Sequence, residues 1–280
     1  MSKGLLDPKV DFVFKNIFGS PNHPEILISF LNATLKAKKK IVNVDIKKTD
    51  IEKQYIEDKY SRLDVKATTS NDEIINIEIQ LKNENNMVKR SLYYLSKMYE
   101  EQLNEKEDYS KLVRTVCINI LNFKYLKTDN FHTGYRFKEI ESNEELTDIM
   151  EVHFIEIPKL QDSSDEKDML VAWTEFLKDP ESEKVRGLEL SIEEIRQAKD
   201  ELIRMSTDST QRELYDMRAN SLRDKMSELN AAERKGIEKG REEGRKEEKI
   251  KIARNMKLSG IDTNTIAKIT NLSEDEIDKL

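Results

Sequence analysis

The chain has 280 residues, with 48 Lys and Arg against 55 Asp and Glu, a net charge of −7 at pH 7, and one cysteine. That balance excludes wholesale coating of nucleic acid, because non-specific affinity comes from neutralising phosphates with basic side chains, and a lone thiol excludes an intramolecular disulfide. The apolar runs fall well short of the ~18 residues a spanning helix needs, and the opening MSKGLLDPK has no secretory pattern, so a soluble, cytoplasmic protein is expected.

In chain order, residues 8–18 predict a helix with Val10, Phe14, Ile17 and Phe18 on one face and Asp11 and Lys15 elsewhere; Gly19 ends it. Pro24 opens a second helix carrying Ile26, Leu27, Phe30, Leu31 and Leu35. A basic run follows, Lys36, Lys38, Lys39 and Lys40, with Lys47 and Lys48 a little further on inside a strand predicted over about 41–51. A solvated loop and a local phosphate contact both account for that run.

The next segment carries the most information. In RLDVKAT, Leu63, Val65 and Ala67 alternate with Asp64, Lys66 and Thr68, and in IINIEIQ, Ile75, Ile77 and Ile79 alternate with Asn76, Glu78 and Gln80. TTSNDE between them is a polar turn that closes a hairpin. Antiparallel pairing with the apolar positions on one core sets Asp64, Glu78 and Gln80 on the opposite face. Two carboxylates and an amide on rigid strands suit Mg²⁺, a hard ion that prefers oxygen ligands and bridges to phosphates. Asp64 and Glu78 are the expected metal ligands, and Gln80 the group that orients water or the scissile phosphate. Alternation alone is equally met by the solvated face of an exposed hairpin.

A helix over about 86–103 places Arg90, Tyr94 and Lys97 in one stripe. That stripe suits a phosphate, and equally a partly buried aromatic flanked by snorkelling bases. Residues 113–123, rich in Val, Ile and Leu around Cys117, read as a buried central strand. Two further strands are predicted over 135–140 and 150–157, and from residue 166 the chain becomes helical, with Leu170, Val171, Trp173, Phe176 and Leu177 forming a docking face in which Trp173 is a packing anchor. Helices over about 191–205 and 211–229 lead into a charged tail in which Gly236, Gly240 and Gly244 recur every fourth residue. Each glycine costs a helix about 0.8–1 kcal/mol relative to alanine, so either a partner helix compensates or the segment is a flexible linker. At the end, Thr263 or Asn264 is expected to cap one short helix, and Ser273 with Glu276 forms a capping box for another. Ile-Ala-x-Ile-Thr-Asn-Leu-Ser is similar to a helix-turn-helix turn, but Glu274, Asp275, Glu276 and Asp278 make the second helix a poor reader of a major groove. An interaction or regulatory element is expected there.

His23, His132 and His153 share no spacing and have no cysteine partner, so zinc is not expected. Neither a phosphate-binding P-loop nor a G-x-S-x-G elbow occurs.

Asp11, Phe14, Lys15, Ile17-Phe18-Gly19, Phe30-Leu31-Asn32, Leu63-Asp64-Val65, Asn76-Ile77-Glu78-Ile79-Gln80, Arg90 and Tyr93-Tyr94 form an ordered set. That set resembles the PD-(D/E)XK nuclease family transposases, the Rpn family of recombination-promoting nucleases. The resemblance implies an α/β fold, a restriction-endonuclease-like mixed sheet flanked by helices, with a helical C-terminal region. It implies Asp64 and Glu78 as metal-binding acids, Gln80 at the third position of E-x-K, and Asp11 as an additional acid. Glutamine is neutral and only hydrogen-bonds, so the usual lysine charge is missing; Lys66, two residues from Asp64, and Lys15, one turn from Asp11, are the candidates to replace it, against the plainer reading of surface ion pairs.

The expected layout is a nuclease-like domain over 1–160, a helical accessory region over 161–230, a charged glycine-spaced helix or linker over 231–258, and a helix-turn-helix-like tail over 259–280. The expected function is a metal-dependent DNA endonuclease that promotes recombination, using Mg²⁺ with Mn²⁺ or Ca²⁺ as alternatives, and binding DNA through Arg90, Lys66 and Lys15. Pairing through the C-terminal helices into a homodimer would suit double-strand cleavage. The alternative is a nuclease-derived DNA-binding or regulatory protein with little or no activity, assembling through its tail.

Overall fold

The structure is a computed structural model and describes residues 4–37, 39–47, 65–165 and 167–280. Lys38, residues 48–51 of the predicted strand with Lys48, and the stretch containing Leu63 and Asp64 lie outside the described residues. The chain divides into two compact units, Met1–Ala219 and Asn220–Leu280.

The first unit opens with helices α1 (Asp11–Phe18) and α2 (Pro24–Leu35), followed by strands β1 (Val44–Lys47), β2 (Val65–Thr69) and β3 (Ile74–Gln80), helix α3 (Met87–Glu100) and strand β4 (Thr115–Leu121). This is the expected order of two helices, three strands, a helix and a strand. A hairpin of β5 (His132–Lys138) and β6 (Glu145–Glu156) follows, then α4 (Met169–Lys178), α5 (Glu183–Glu189), α6 (Glu193–Thr207) and the start of α7 (Ser209–Leu258). The six strands form one sheet in the order β1-β2-β3-β4-β6-β5. β1, β2 and β3 pair antiparallel, β3, β4 and β6 run parallel, and β5 returns antiparallel at the edge. Parallel neighbours need a crossover, and α3 provides it between β3 and β4. The hairpin strands begin earlier than the predicted spans of 135–140 and 150–157, because cross-strand pairing recruits polar residues that carry no apolar alternation.

Period 2 separates two layers. Ile75, Ile77 and Ile79 of β3, with Val116, Ile118 and Ile120 of β4, face a core shared by Phe14, Ile17, Phe18, Phe30 and Leu31 of α1 and α2 and by Trp173, Phe176 and Leu202 of the later helices. Trp173 is fully buried; its ring meets Phe18 edge-on at 5.3 Å, and its indole N–H donates to Ser29 Oγ at 3.2 Å. The other layer is α3, whose Met87 and Leu95 pack on Cys117, Leu121, Val152 and Phe154. With both faces covered, every residue of β4 is buried, as its continuous apolar composition predicts.

Two of the motif residues secure the entry to the sheet. A Cβ on Gly19 would stand 2.6 Å from the Lys15 carbonyl oxygen, so the chain leaves α1 by an approach that a side chain blocks. The Asn32 side chain brackets Ile41, donating to its carbonyl (2.8 Å) and accepting from its N–H (2.9 Å).

In the second unit, the end of α7, α8 (Thr263–Thr270) and α9 (Glu274–Asp278) close over Ala253, Ile266, Leu272 and Ile277. Asp262, rather than Thr263 or Asn264, caps α8 by accepting from Thr265 N–H at 3.0 Å. Ser273 and Glu276 make the expected capping box of α9. The glycine-spaced stretch is helical within α7, and a Cβ on Gly236, Gly240 or Gly244 would meet nothing within 4 Å.

Candidate active site

β2 and β3 pair Val65 with Ile77 and Lys66 with Asn76, so Lys66 and Asn76 share one face, and Glu78 and Gln80 follow Asn76 on it. That face is covered by α3, so it is not the solvated side of a hairpin: Asn76 and Glu78 are both 0% exposed. Arg90 Nε, one turn into α3, donates to Glu78 Oε2 at 3.1 Å, and its guanidinium lies 5.4 Å from the centre of the Tyr94 ring. Burial pushes the Glu78 carboxyl above its usual range, and the charge and hydrogen bond of Arg90, then a hydrogen bond from the Asn76 side chain, partly offset this. Among the described residues, Glu78 Oε1 and Asn76 Oδ1 are buried acceptors without a hydrogen-bond donor. An orphaned buried acceptor costs about 1–3 kcal/mol. Two of them on one strand face are a donor deficit that an oxygen-seeking cation fits.

The surroundings are satisfied. Ser91 Oγ donates to Asn119 Oδ1 (2.9 Å), and Asn119 Nδ2 donates to the His153 carbonyl (3.0 Å). Cys117, fully buried, has its thiol pushed up to about 12 by desolvation and by the nearby Glu78 charge, which makes it an inert packing group.

The predicted residues are distributed unevenly. Glu78, Arg90 and Lys66 lie on the α3 side; Lys66 Nζ is 3.9 Å from Glu101 Oε2, and burial lowers its pKa. Gln80 ends β3 half-buried, with its carbonyl accepting from Asn122 N–H at 2.9 Å. Asp64, the other expected ligand, lies outside the described residues. Asp11 and Lys15 sit on α1, which packs against the isoleucine layer, and Asp11 is exposed and paired with Arg218 at 3.2 Å. The Arg90-Tyr94-Lys97 stripe divides: Arg90 turns in to Glu78, Tyr94 is buried, and Lys97 pairs with Glu100 and Glu101, each at 3.6 Å. Among the described residues, no three His, Cys, Asp or Glu side chains form a group able to hold a metal.

Sequence reasoning missed two features. Asn76 was legible as a polar position in the alternation, but its orphaned oxygen was not. His132 and His153, without common spacing, meet through the β5–β6 register, at 2.9 Å between Nε2 and Nδ1.

A mixed sheet with helices on both faces and a buried acid on the third strand defines a restriction-endonuclease-like nuclease scaffold. A family model described as PD-(D/E)XK nuclease family transposase matches residues 8–232, and one described as Rpn/YhgA-like nuclease family, C-terminal HTH domain, matches 246–280. The chain belongs to the PD-(D/E)XK nuclease family transposases. No curated protein and no solved structure matches it.

Proposed function

We propose that the protein is a metal-dependent DNA endonuclease that hydrolyses phosphodiester bonds and promotes recombination. The observation that carries this reading is the buried Glu78 carboxylate, whose Oε1 lacks a donor among the described residues, on the strand face beside Gln80. Glu78 and Asp64 would hold the ion. Asp64 directly precedes Val65 in sequence, and Glu78 directly follows Ile77, the residue that Val65 pairs with. A divalent ion, Mg²⁺ first with Mn²⁺ or Ca²⁺ as alternatives, supplies Lewis acidity and an acidified water.

The protein's own groups do the rest. Gln80 orients the attacking water by hydrogen bonding, Arg90 and Lys66 contribute positive charge toward the phosphate, and Lys15 is assigned the outer rim of the DNA path; Asp11, an exposed carboxylate paired with Arg218, would repel phosphate and takes no part in that path. α3 covers the Glu78 side and buries the carboxylate. The C-terminal helix-turn-helix match supports DNA as the partner, while the acidic first turn of α9, Glu274, Asp275 and Glu276, favours assembly over base reading. A homodimer through the C-terminal helices and a cytoplasmic setting complete the proposal; among the described residues no helix is long and apolar enough to cross a membrane.

Incubating supercoiled plasmid with each ion tests it. Nicked or linear products that require metal, Asp64 and Glu78 are expected, and Asp64→Ala or Glu78→Ala protein that still cuts overturns it. The neutral Gln80 favours a second reading, a weakly active DNA-binding regulator. Wild-type silence with cleavage by Gln80→Lys is its signature.

A further inference from the structure

Among the described residues, three partly buried arginines, Arg90, Arg114 and Arg136, meet carboxylates, and one is held differently from the others. Arg114 directs its two Nη groups to Glu73 and Glu151 and its Nε to the Asp148 carbonyl at 3.1 Å. Arg136 reaches Glu151 through Nε (2.9 Å) and Glu145 through Nη1 (3.0 Å). Both are committed through several donors in the manner of structural arginines. Arg90 engages Glu78 through Nε alone, and among the described residues its Nη groups have no acceptor.

The accepting carboxylate is also unlike the others. Its side chain is 1% exposed while that of Arg90 is 23% exposed, so the pair joins a buried anion to a cation with a route to solvent. Glu78 Oε1 and Asn76 Oδ1 remain without donors, a deficit that a single N–H does not meet. The guanidinium lies 5.4 Å from the centre of the Tyr94 ring, a cation–π contact that does not depend on its bond to Glu78. A buried carboxylate without a counter-charge is costly, so Glu78 needs a cation, but not this particular one.

We propose that Arg90 is an exchangeable counter-ion of Glu78: it competes with a divalent cation for the carboxylate and, once displaced, turns its guanidinium to a DNA phosphate. The inference rests on the nuclease reading above and adds to it an order of events. Metal uptake and phosphate capture become coupled through one side chain, because the group released by the first is the group needed for the second.

Calorimetric titration of the full chain with Mn²⁺ at pH 8, without DNA, tests the competition. Arg90→Gln is expected to bind Mn²⁺ at least about fivefold more tightly than wild type, since a competing cation is removed. Glu78→Gln is expected to abolish binding. With Ca²⁺ present, Arg90→Gln is expected to bind duplex DNA more weakly than wild type. Unchanged or weaker Mn²⁺ binding by a folded Arg90→Gln overturns the exchange while leaving the nuclease reading in place, whereas no Mn²⁺ binding by wild type overturns both. If Arg90→Gln does not fold, the wild type itself decides: the Arg90 Nε–H resonance is expected to shift and exchange faster with solvent on Mg²⁺ addition, and an unmoved, still protected resonance overturns the proposal.

Discussion

His132 Nε2 lies 2.9 Å from His153 Nδ1, and His153 Nε2 lies 2.7 Å from Glu151 Oε1, so a two-histidine chain on the isoleucine side of the sheet ends on a carboxylate. His132 is held down to about 4, by burial first and then by the neighbouring His153 and the Lys36 charge, with Asp168 and Glu151 opposing. A base whose pKa is depressed on folding takes its proton in the unfolded chain first. Its neutral form therefore contributes stability that is complete above about 6.5 and is lost as pH falls toward about 4. Melting temperatures across that window should fall with decreasing pH in wild type and fall less in His132→Asn; parallel curves would remove His132 as the cause.

Gly134 faces that pair. A Cβ there would stand 3.1 Å from His153 Cε1 and 3.3 Å from Nδ1. Gly134→Ala should push the imidazole off His132 and cost about 1–3 kcal/mol, read as a lower midpoint in urea. An unchanged midpoint would mean that the ring yields freely.

Glu78 carries a charge that its burial disfavours. Glu78→Gln should eliminate metal-dependent cleavage while leaving the unfolding free energy unchanged or raised by about 1 kcal/mol. A clear loss of stability would instead give the Arg90 pair a structural role.

Trp173 ties the later helices into the core of the sheet. Trp173→Ala should cost about 3–5 kcal/mol. Since Phe14, Phe18 and Ile77 share its core, the loss should appear as one transition of the first unit, seen alike by strand and helix signals. Separate transitions would make the later helices an independent accessory region.

The acidic turn of α9 should repel phosphates. Replacing Glu274 and Asp275 with lysine in the full chain should strengthen duplex binding and steepen its salt dependence. No change would place α9 away from DNA.

Much of the scaffold is legible in local pattern. The alternation around Ile75, Ile77 and Ile79 marks β3 and sets Glu78 opposite the isoleucines, and the continuous apolar run around Cys117 marks β4 as central. These readings hold because side-chain direction in a strand repeats every second residue whatever lies elsewhere in the chain. The span of α7 is less legible: residues 211–229 and 231–258 read as separate segments, yet Ser209–Leu258 is one helix, its Glu–Lys pairs such as Lys239 with Glu243 supporting the turn across the glycines.

The sequence by itself determined the family, the order of elements along the chain up to β4, and the face on which Glu78 and Gln80 stand, because each follows from local periodicity or an ordered set of residues. Only the tertiary structure decided that α3 buries this face, that Arg90 turns inward to Glu78, and that His132 meets His153. Those facts depend on which distant surface covers a strand and in what register two strands pair. The exposed or buried fate of a polar side chain is set by that long-range packing, where the cost of desolvating a charge is balanced against the partners the fold brings to it.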